Sequence, residues 1–339
     1  MKGRPFSGDI MSIQEKIMIP ARLIDTDKIS DSPGPYCMSF GFDRERYVQS
    51  LKQIGLVNTP LLIKNSDGEI EIISGFRRIQ AVKVLKWDKI PCRILPEATL
   101  SSLECLLLNL HDNLSIRRFN IVEKGMLLRR LVEHLPDSEI IKRYMPLLDL
   151  PSHEETFRLH VRIEEELDVE QKNYLASERL TFQAAKMLLE ADPGSRSSIC
   201  GVISNLKLNS NQQRQFIDYI IDISSISGTP VSDLINKGHI KKICSDQNLN
   251  APQKGRAVLR FLRGRRLPSL TTAESAFKKM VSGLKLPDGV KIESPRFFED
   301  SHYKLEVSFR EGEELKEKIE SLSRKEGLRN LGNPWGEGF

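Results

Sequence analysis

The sequence predicts an α+β protein: a small mixed domain over residues 17–135, an all-helical domain over 136–245 with a helix-turn-helix-like element, and a basic helix plus ββα unit over 246–325. Three observations carry this prediction. Residues 69–73 (Glu-Ile-Glu-Ile-Ile) alternate polar and apolar as a strand does, and Ile79, Val82 and Leu85 then recur at helical spacing. From 137 to about 245 the periodicity is helical throughout. Near the end, Tyr303, Leu305, Val307 and Phe309 alternate ahead of a one-sided apolar stripe, Leu315, Ile319 and Leu322. The flanks, 1–16 and the glycine-rich 326–339, are expected to be flexible.

In chain order, Ile17–Leu23 reads as a strand entry and Arg44–Ile54 as a helix closed by Gly55. Pro60–Lys64 and Glu69–Ile73 read as strands joined by an Asp67-Gly68 turn. A helix over Gly75–Lys86, with Ser74 available to cap it, and a strand over Ile90–Leu95 follow. Ser101-x-x-Glu104 has the form of a capping box before a helix that ends near His111-Asp112-Asn113, with Asn113 suited to a left-handed turn. Asn120-x-x-Glu123 repeats the pattern before a leucine-rich helix that Pro136 stops.

The helical domain is punctuated by Pro146, Pro151, an Asp192-Pro193-Gly194 turn and the Ser-Ile-Ser-Gly-Thr-Pro stretch. Ser138–Tyr144, a short break and a helix from Ser152 have the size of a helix-turn-helix. His153, Glu154 and Glu155 at the start of its second helix argue against simple base reading, because carboxylates repel phosphates. A polar linker, 244–254, leads to the basic helix Arg256–Arg266 and a helix opening at Thr272. The closing hairpin and helix are too small to stand alone, so they need the preceding helices or a second copy of themselves.

With 39% apolar and 29% charged residues, the 339-residue chain has the composition of a globular protein of two or three domains. The net charge of +5 is too small to indicate a nucleic-acid partner by itself. Its distribution is more informative: residues 153–170 hold seven acids against two arginines, whereas Lys254, Arg256, Arg260, Arg263, Arg265 and Arg266 form a segment with no acid inside it. Five scattered cysteines and six histidines without metal-ligand spacing predict buried reduced thiols and surface imidazoles, not a zinc site. No apolar run is long enough to span a bilayer and no signal peptide is evident, so a cytoplasmic protein with no membrane partner is expected.

The most chemically specific segment is residues 72–83, where a strand ends in Ser74-Gly75 and a helix opens with Arg77 and Arg78. Free N–H groups at a helix start, the positive end of its dipole and guanidinium forks all favour a phosphate. The alternative is a solvated first turn. The basic segment is likewise either a phosphate-backbone contact or a solvated helix face; if all six cations met DNA, log affinity would fall with log salt at a slope of about −5.

Residues 1–135 resemble the N-terminal domain of ParB-type partition proteins, a fold shared with sulfiredoxin. The matching motifs, in order, are Gln-Ser-Leu-Lys-Gln-Ile-Gly-Leu-Val-Asn-Thr-Pro, Ile-Ser-Gly-Phe-Arg-Arg-Ile-Gln-Ala, Trp-Asp-Lys-Ile-Pro, Asp-Asn-Leu and Glu123. The helical middle is similar to that family's helix-turn-helix region and the end to its dimerisation unit. The resemblance implies CTP with magnesium as cofactor, a homodimeric clamp on DNA in chromosome or plasmid partition, slow CTP hydrolysis and a nucleoid location. Carried over by position, Ser74, Gly75, Arg77, Arg78, Asp112 and Asn113 would hold the nucleotide. Asp112 and Asn113 would stand beside magnesium, with Asp112 as the catalytic candidate.

Three departures bear more on hydrolysis than on binding: Phe76 replaces the usual Glu, Ile116 stands where many relatives have Arg, and Asp112 is shorter than Glu. Arg117 and Arg118 are nearby substitutes for that cation. Sulfiredoxin activity is not expected, since Phe76 occupies the place of that family's nucleophilic cysteine. A two-metal nuclease would need more carboxylates than Asp112 and Glu123. A ParA-type ATPase partner follows by analogy, with Lys2 and Arg4 as a basic start. The alternatives are a nucleotide-binding enzyme of the same fold that has lost DNA binding, or an adaptor.

Overall fold

The computed structural model describes residue 13, residues 15–299 and residues 302–332. It is mixed α+β and divides into two compact units, one up to Arg214 and one from Gln215 onward. The sequence placed most of the first unit's secondary structure closely, but the strand entry expected over Ile17–Leu23 is corrected: Ile17 is helical and the strand begins at Arg22. Its elements are β1 (Arg22–Asp25), α1 (Arg44–Ile54), β2 (Leu61–Lys64), β3 (Ile70–Ser74), α2 (Phe76–Val84), β4 (Lys89–Leu95), α3 (Ser102–Leu114) and α4 (Ile121–Leu131). Helical elements continue with α5 (Asp137–Arg143), α6 (Glu154–Glu166), α7 (Val169–Ala176), α8 (Phe182–Leu188) and α9 (Pro193–Leu206).

The four strands form one sheet in the order β1-β4-β2-β3, with β2 and β4 parallel and the other pairs antiparallel. Both faces of its centre are covered. Leu62, Ile72, Ile79, Val82 and Ile90 pack with Val48 and Leu51 in one core, whereas Leu61, Ile63, Ile73 and Leu95 pack with Leu100 and Cys105 in the other. Two-sided burial explains why Leu61, Leu62 and Ile63 read as an unbroken apolar run.

Both capping boxes are present: Ser101 with Glu104, and Asn120 with Glu123. Each fixes where a helix begins and so sets the phase of the residues facing the sheet. Four further local expectations are corrected. The Ser101-capped helix runs through His111, Asp112 and Asn113 to Leu114, so Asn113 is helical and occupies no left-handed turn. Ser74 does not cap α2; Gly75 does, and the Ser74 hydroxyl is turned to Asp112. Asp192-Pro193-Gly194 is a helix start, with Asp192 capping α9 and Pro193 in its first turn, a position that needs no N–H. His160 is buried rather than on the surface, and its Nδ1 contacts the Thr156 carbonyl at 2.8 Å.

At the crossing of α4 and α6, Gly125 stands so close to His160 that an added Cβ would lie 2.7 Å from its carbonyl oxygen. The helix-turn-helix-like segment consists of α5, a 3-10 turn over Pro146–Leu148 and α6. Glu154 at its second helix pairs with Arg158, and Glu155 pairs with Lys186.

Helix α10 (Ser210–Ser227) runs through the division between the units. The second unit continues with α11 (Val231–Asn236), α12 (His239–Ser245), α13 (Ala251–Arg266), α14 (Pro268–Gly283), β5 (Val290–Glu293), β6 (Lys304–Val307) and α15 (Gly312–Ser323). Helix α14 starts at Pro268, four residues before the expected Thr272. The hairpin β5–β6 is antiparallel, and Ile292 and Tyr303 pack against Leu270, Ala273 and Phe277 of α14. The closing unit is therefore supported by the helix before it. Among the described residues no helix is long and apolar enough to cross a membrane.

Candidate anion-binding site

The site is built where β3 ends, α2 begins and α3 passes beside them. Gly75 joins the first two with φ at +103°, and an added Cβ would meet Pro60 at 2.9 Å. Only glycine fits this turn without strain. Helix α3 is tied to the same strand by Asn109, which is 2% exposed and donates from Nδ2 to the Ile73 carbonyl at 2.6 Å. One turn on, Asn113 donates to the Asn109 carbonyl at 2.8 Å. These bonds hold Asp112 opposite Ser74, whose hydroxyl donates to its Oδ2.

All six residues assigned to the nucleotide by sequence, Ser74, Gly75, Arg77, Arg78, Asp112 and Asn113, line one small recess. It adjoins a larger cleft of about 570 Å³ that shares Tyr47, Ser74, Arg78, Asp112 and Ile116 with it. That volume is in the range of small-molecule sites. Apolar Leu56, Val57 and Leu108 also line the cleft.

The two adjacent arginines have different environments. Arg77 turns inward: Nη2 meets Glu123 Oε1 at 2.6 Å, Nε donates to Ser39 at 2.9 Å, and the guanidinium lies 4.9 Å from the Phe42 ring centre. Arg78 faces the large cleft and donates from Nη1 to the Asn58 carbonyl at 2.5 Å. Burial pushes its pKa below the ordinary arginine value, while Asp112 works in the opposite direction.

Glu123 is 1% exposed and serves more than a helix cap. It accepts from Arg77, from Arg117 Nη1 at 2.7 Å, and from the backbone N–H groups of Phe40 and Asn120. Arg117 also donates to Asn113 Oδ1 at 2.8 Å and to the Met38 carbonyl at 2.6 Å. Of the two nearby cations read from the sequence, Arg117 enters the recess and Arg118 does not line it. Phe76, at the position of the resembled family's Glu, is a core residue 8% exposed, and Ile116 is 71% exposed.

Sequence reasoning missed Arg93, Ser39 and Tyr47 as lining residues. Arg93 had a local signal, a cation within an otherwise apolar strand; Ser39 and Tyr47 are placed by long-range packing and had none.

The candidate magnesium ligands differ in availability. Asn113 Oδ1 already accepts from Arg117, whereas only Oδ2 of Asp112 is bonded, to Ser74. No group of three or more His, Cys, Asp or Glu able to hold a metal is found among the described residues. Burial pushes the Cys37 and Cys105 thiols up to about 12, away from the nucleophilic thiolate form.

In the second unit, the six candidate DNA cations are also unequal. Arg263 is bidentate to Glu274 at 2.7 and 2.6 Å, Arg266 pairs with Asp222 at 2.6 Å, and Lys254 donates to the Cys244 carbonyl at 2.7 Å. Arg256, Arg260 and Arg265 are exposed.

The fold places a cleft lined by guanidinium groups in a small α+β domain. Residues 15–113 match the family model of the ParB N-terminal domain. No curated protein matches the chain. Two solved structures are similar, both of the C-terminally truncated chromosome-partitioning protein ParB from Caulobacter crescentus. The one complexed with CTP-gamma-S is 20% identical, covers 54% of this chain and 98% of its own, and has a TM-score of 0.26. The one complexed to the centromeric parS site is 19% identical, covers 58% of this chain and 98% of its own, and has a TM-score of 0.32.

Proposed function

We propose that the N-terminal domain binds a nucleoside triphosphate, CTP with magnesium, and that nucleotide binding gates a homodimeric DNA clamp acting in chromosome or plasmid partition. The observation that supports this best is the gathering of Ser74, Gly75, Arg77, Arg78, Asp112 and Asn113 around one recess inside the matched domain. In this proposal Arg78 and the N–H groups at the start of α2 hold phosphate oxygens. Arg77 and Arg117, fixed by Glu123, keep the wall of the recess positive and α2 in place.

Magnesium suits the free carboxylate oxygen of Asp112, because that ion takes one or two protein oxygens and completes its shell with phosphates and water. When bound it would neutralise phosphate charge. Asn113 can contribute only alongside its bond to Arg117. At the position where the resembled family has a Glu, buried Phe76 provides no carboxylate for hydrolysis. Exposed Leu305, Phe309 and Ile319 on the closing unit support pairing with a second copy. A ParA-type ATPase remains a proposed partner; Lys2 and Arg4 lie outside the described residues.

A second reading, a nucleotide-binding protein without DNA binding, is favoured by the acidic start of α6 and by the internal partners of Lys254, Arg263 and Arg266. Calorimetric titration with CTP, ATP and GTP, with and without magnesium, combined with a plasmid DNA shift assay, separates the two. Binding of both CTP and DNA is expected. CTP binding alone selects the second reading, and absence of both leaves an adaptor.

A further inference from the structure

We propose that Arg93 is a phosphate-binding residue of the large cleft and that the ligand it shares with Arg78 is a polyphosphate, not a nucleoside or a monophosphate. This rests on the nucleotide reading above and extends it to a residue outside the matched Ser-Gly-Phe-Arg-Arg motif.

Arg93 lies on β4 and lines the same cleft as Arg78, Ser74 and Asp112. Its guanidinium is poorly compensated. Nη1 donates to the Ile17 carbonyl at 3.3 Å, at the long end of hydrogen bonding, and buried Nε has no partner. Among the described residues no carboxylate forms an ion pair with it. A half-buried cation in that condition is costly unless an anion completes it.

Charge balance identifies the class of anion. The cleft and the adjoining recess are lined by four arginines, Arg77, Arg78, Arg93 and Arg117, against one lining carboxylate, Asp112. Glu123, behind Arg77 and Arg117, is already shared between them. Arg78 and Arg93 are near enough to repel, and Asp112 works against that repulsion at Arg78. Two guanidinium groups held together at a cleft with excess positive charge suit an anion carrying at least two negative charges, as linked phosphates do.

The test is calorimetric titration of the full chain and of Arg93→Gln with CTP, CMP and inorganic tripolyphosphate. Arg93→Gln should weaken CTP and tripolyphosphate by about tenfold or more, the loss of one charge-assisted bond, with CMP weak for both proteins. Arg93→Lys should recover part of the affinity. Binding of CTP by folded Arg93→Gln within about twofold of the wild type overturns the inference. Tripolyphosphate binding that depends on Arg93, without binding of any nucleotide, would sink the nucleotide reading and leave this one standing; absence of both overturns both. Should Arg93→Gln not fold, phenylglyoxal labelling of the unaltered protein reads the same contact: CTP should shield Arg93, and unshielded labelling at saturating CTP contradicts the proposal.

Discussion

Arg77 and Glu123, 46 positions apart in the chain, meet at 2.6 Å with the carboxylate only 1% exposed. The bond joins the start of α2 to the start of α4, and Arg117 closes the other side of the same carboxylate at 2.7 Å. A single buried anion thus fixes two guanidinium groups of the recess. It also divides the arginine pair, leaving Arg78 as the member directed to the large cleft.

Replacing Glu123 with Gln removes that charge and leaves two partly buried cations facing each other. Breaking a buried ion pair from one side costs about 3–5 kcal/mol. The variant should lower the urea midpoint by a corresponding amount. A midpoint equal to wild type would show that the network contributes nothing to stability.

Gly75→Ala tests the turn. With φ at +103° and Pro60 2.9 Å from an added Cβ, the substitution should destabilise the domain by at least about 1 kcal/mol. Nucleotide affinity should fall with it, since α2 cannot start in the same place. A thermal melt matching the wild type contradicts this account of the turn.

Burial holds the pKa of His160 below the ordinary histidine value, with the Thr156 carbonyl opposing the shift. The unfolded chain therefore binds a proton that the folded chain resists. His160 thus contributes stability above the ordinary histidine pKa, and this contribution is lost as pH falls from that value toward the depressed folded one. Melts recorded from pH 8 down to pH 5 should show declining stability, with a shallower decline in His160→Gln. An equal decline in the variant assigns the effect to other groups, such as His111, whose pKa is also lowered by desolvation.

The basic helix α13 offers fewer free cations than its composition implies. With Lys254, Arg263 and Arg266 engaged inside the unit, Arg256, Arg260 and Arg265 remain, and DNA affinity should follow salt with a log–log slope of about −3 instead of −5. A slope near −5, measured by fluorescence anisotropy, would mean that those internal bonds break on DNA.

Local signals made much of this molecule legible. Helix Arg44–Ile54 was bounded by its own residues, and both capping boxes were readable because their partners lie three positions apart. Ser74 was misjudged for the opposite reason: a serine before a helix is an ordinary cap, but its actual partner, Asp112, lies 38 residues away. The same limit concealed Glu123, read as the cap of α4 although its carboxylate also collects Arg77 and Arg117. The acids that partner Arg263 and Arg266 could not be seen in a segment that contains none, because Glu274 and Asp222 come from neighbouring helices. Patterns of three to seven residues determine elements; side-chain partners across elements are settled by packing.

In the proposed function the cleft faced by Arg78 holds the phosphates of a nucleotide, and calorimetric titration of magnesium and CTP into wild type and Arg78→Ala decides the matter. Wild type should bind and the variant should lose about tenfold or more in affinity while keeping its melting temperature. Equal CTP binding by the two proteins, or none by the wild type, would contradict it.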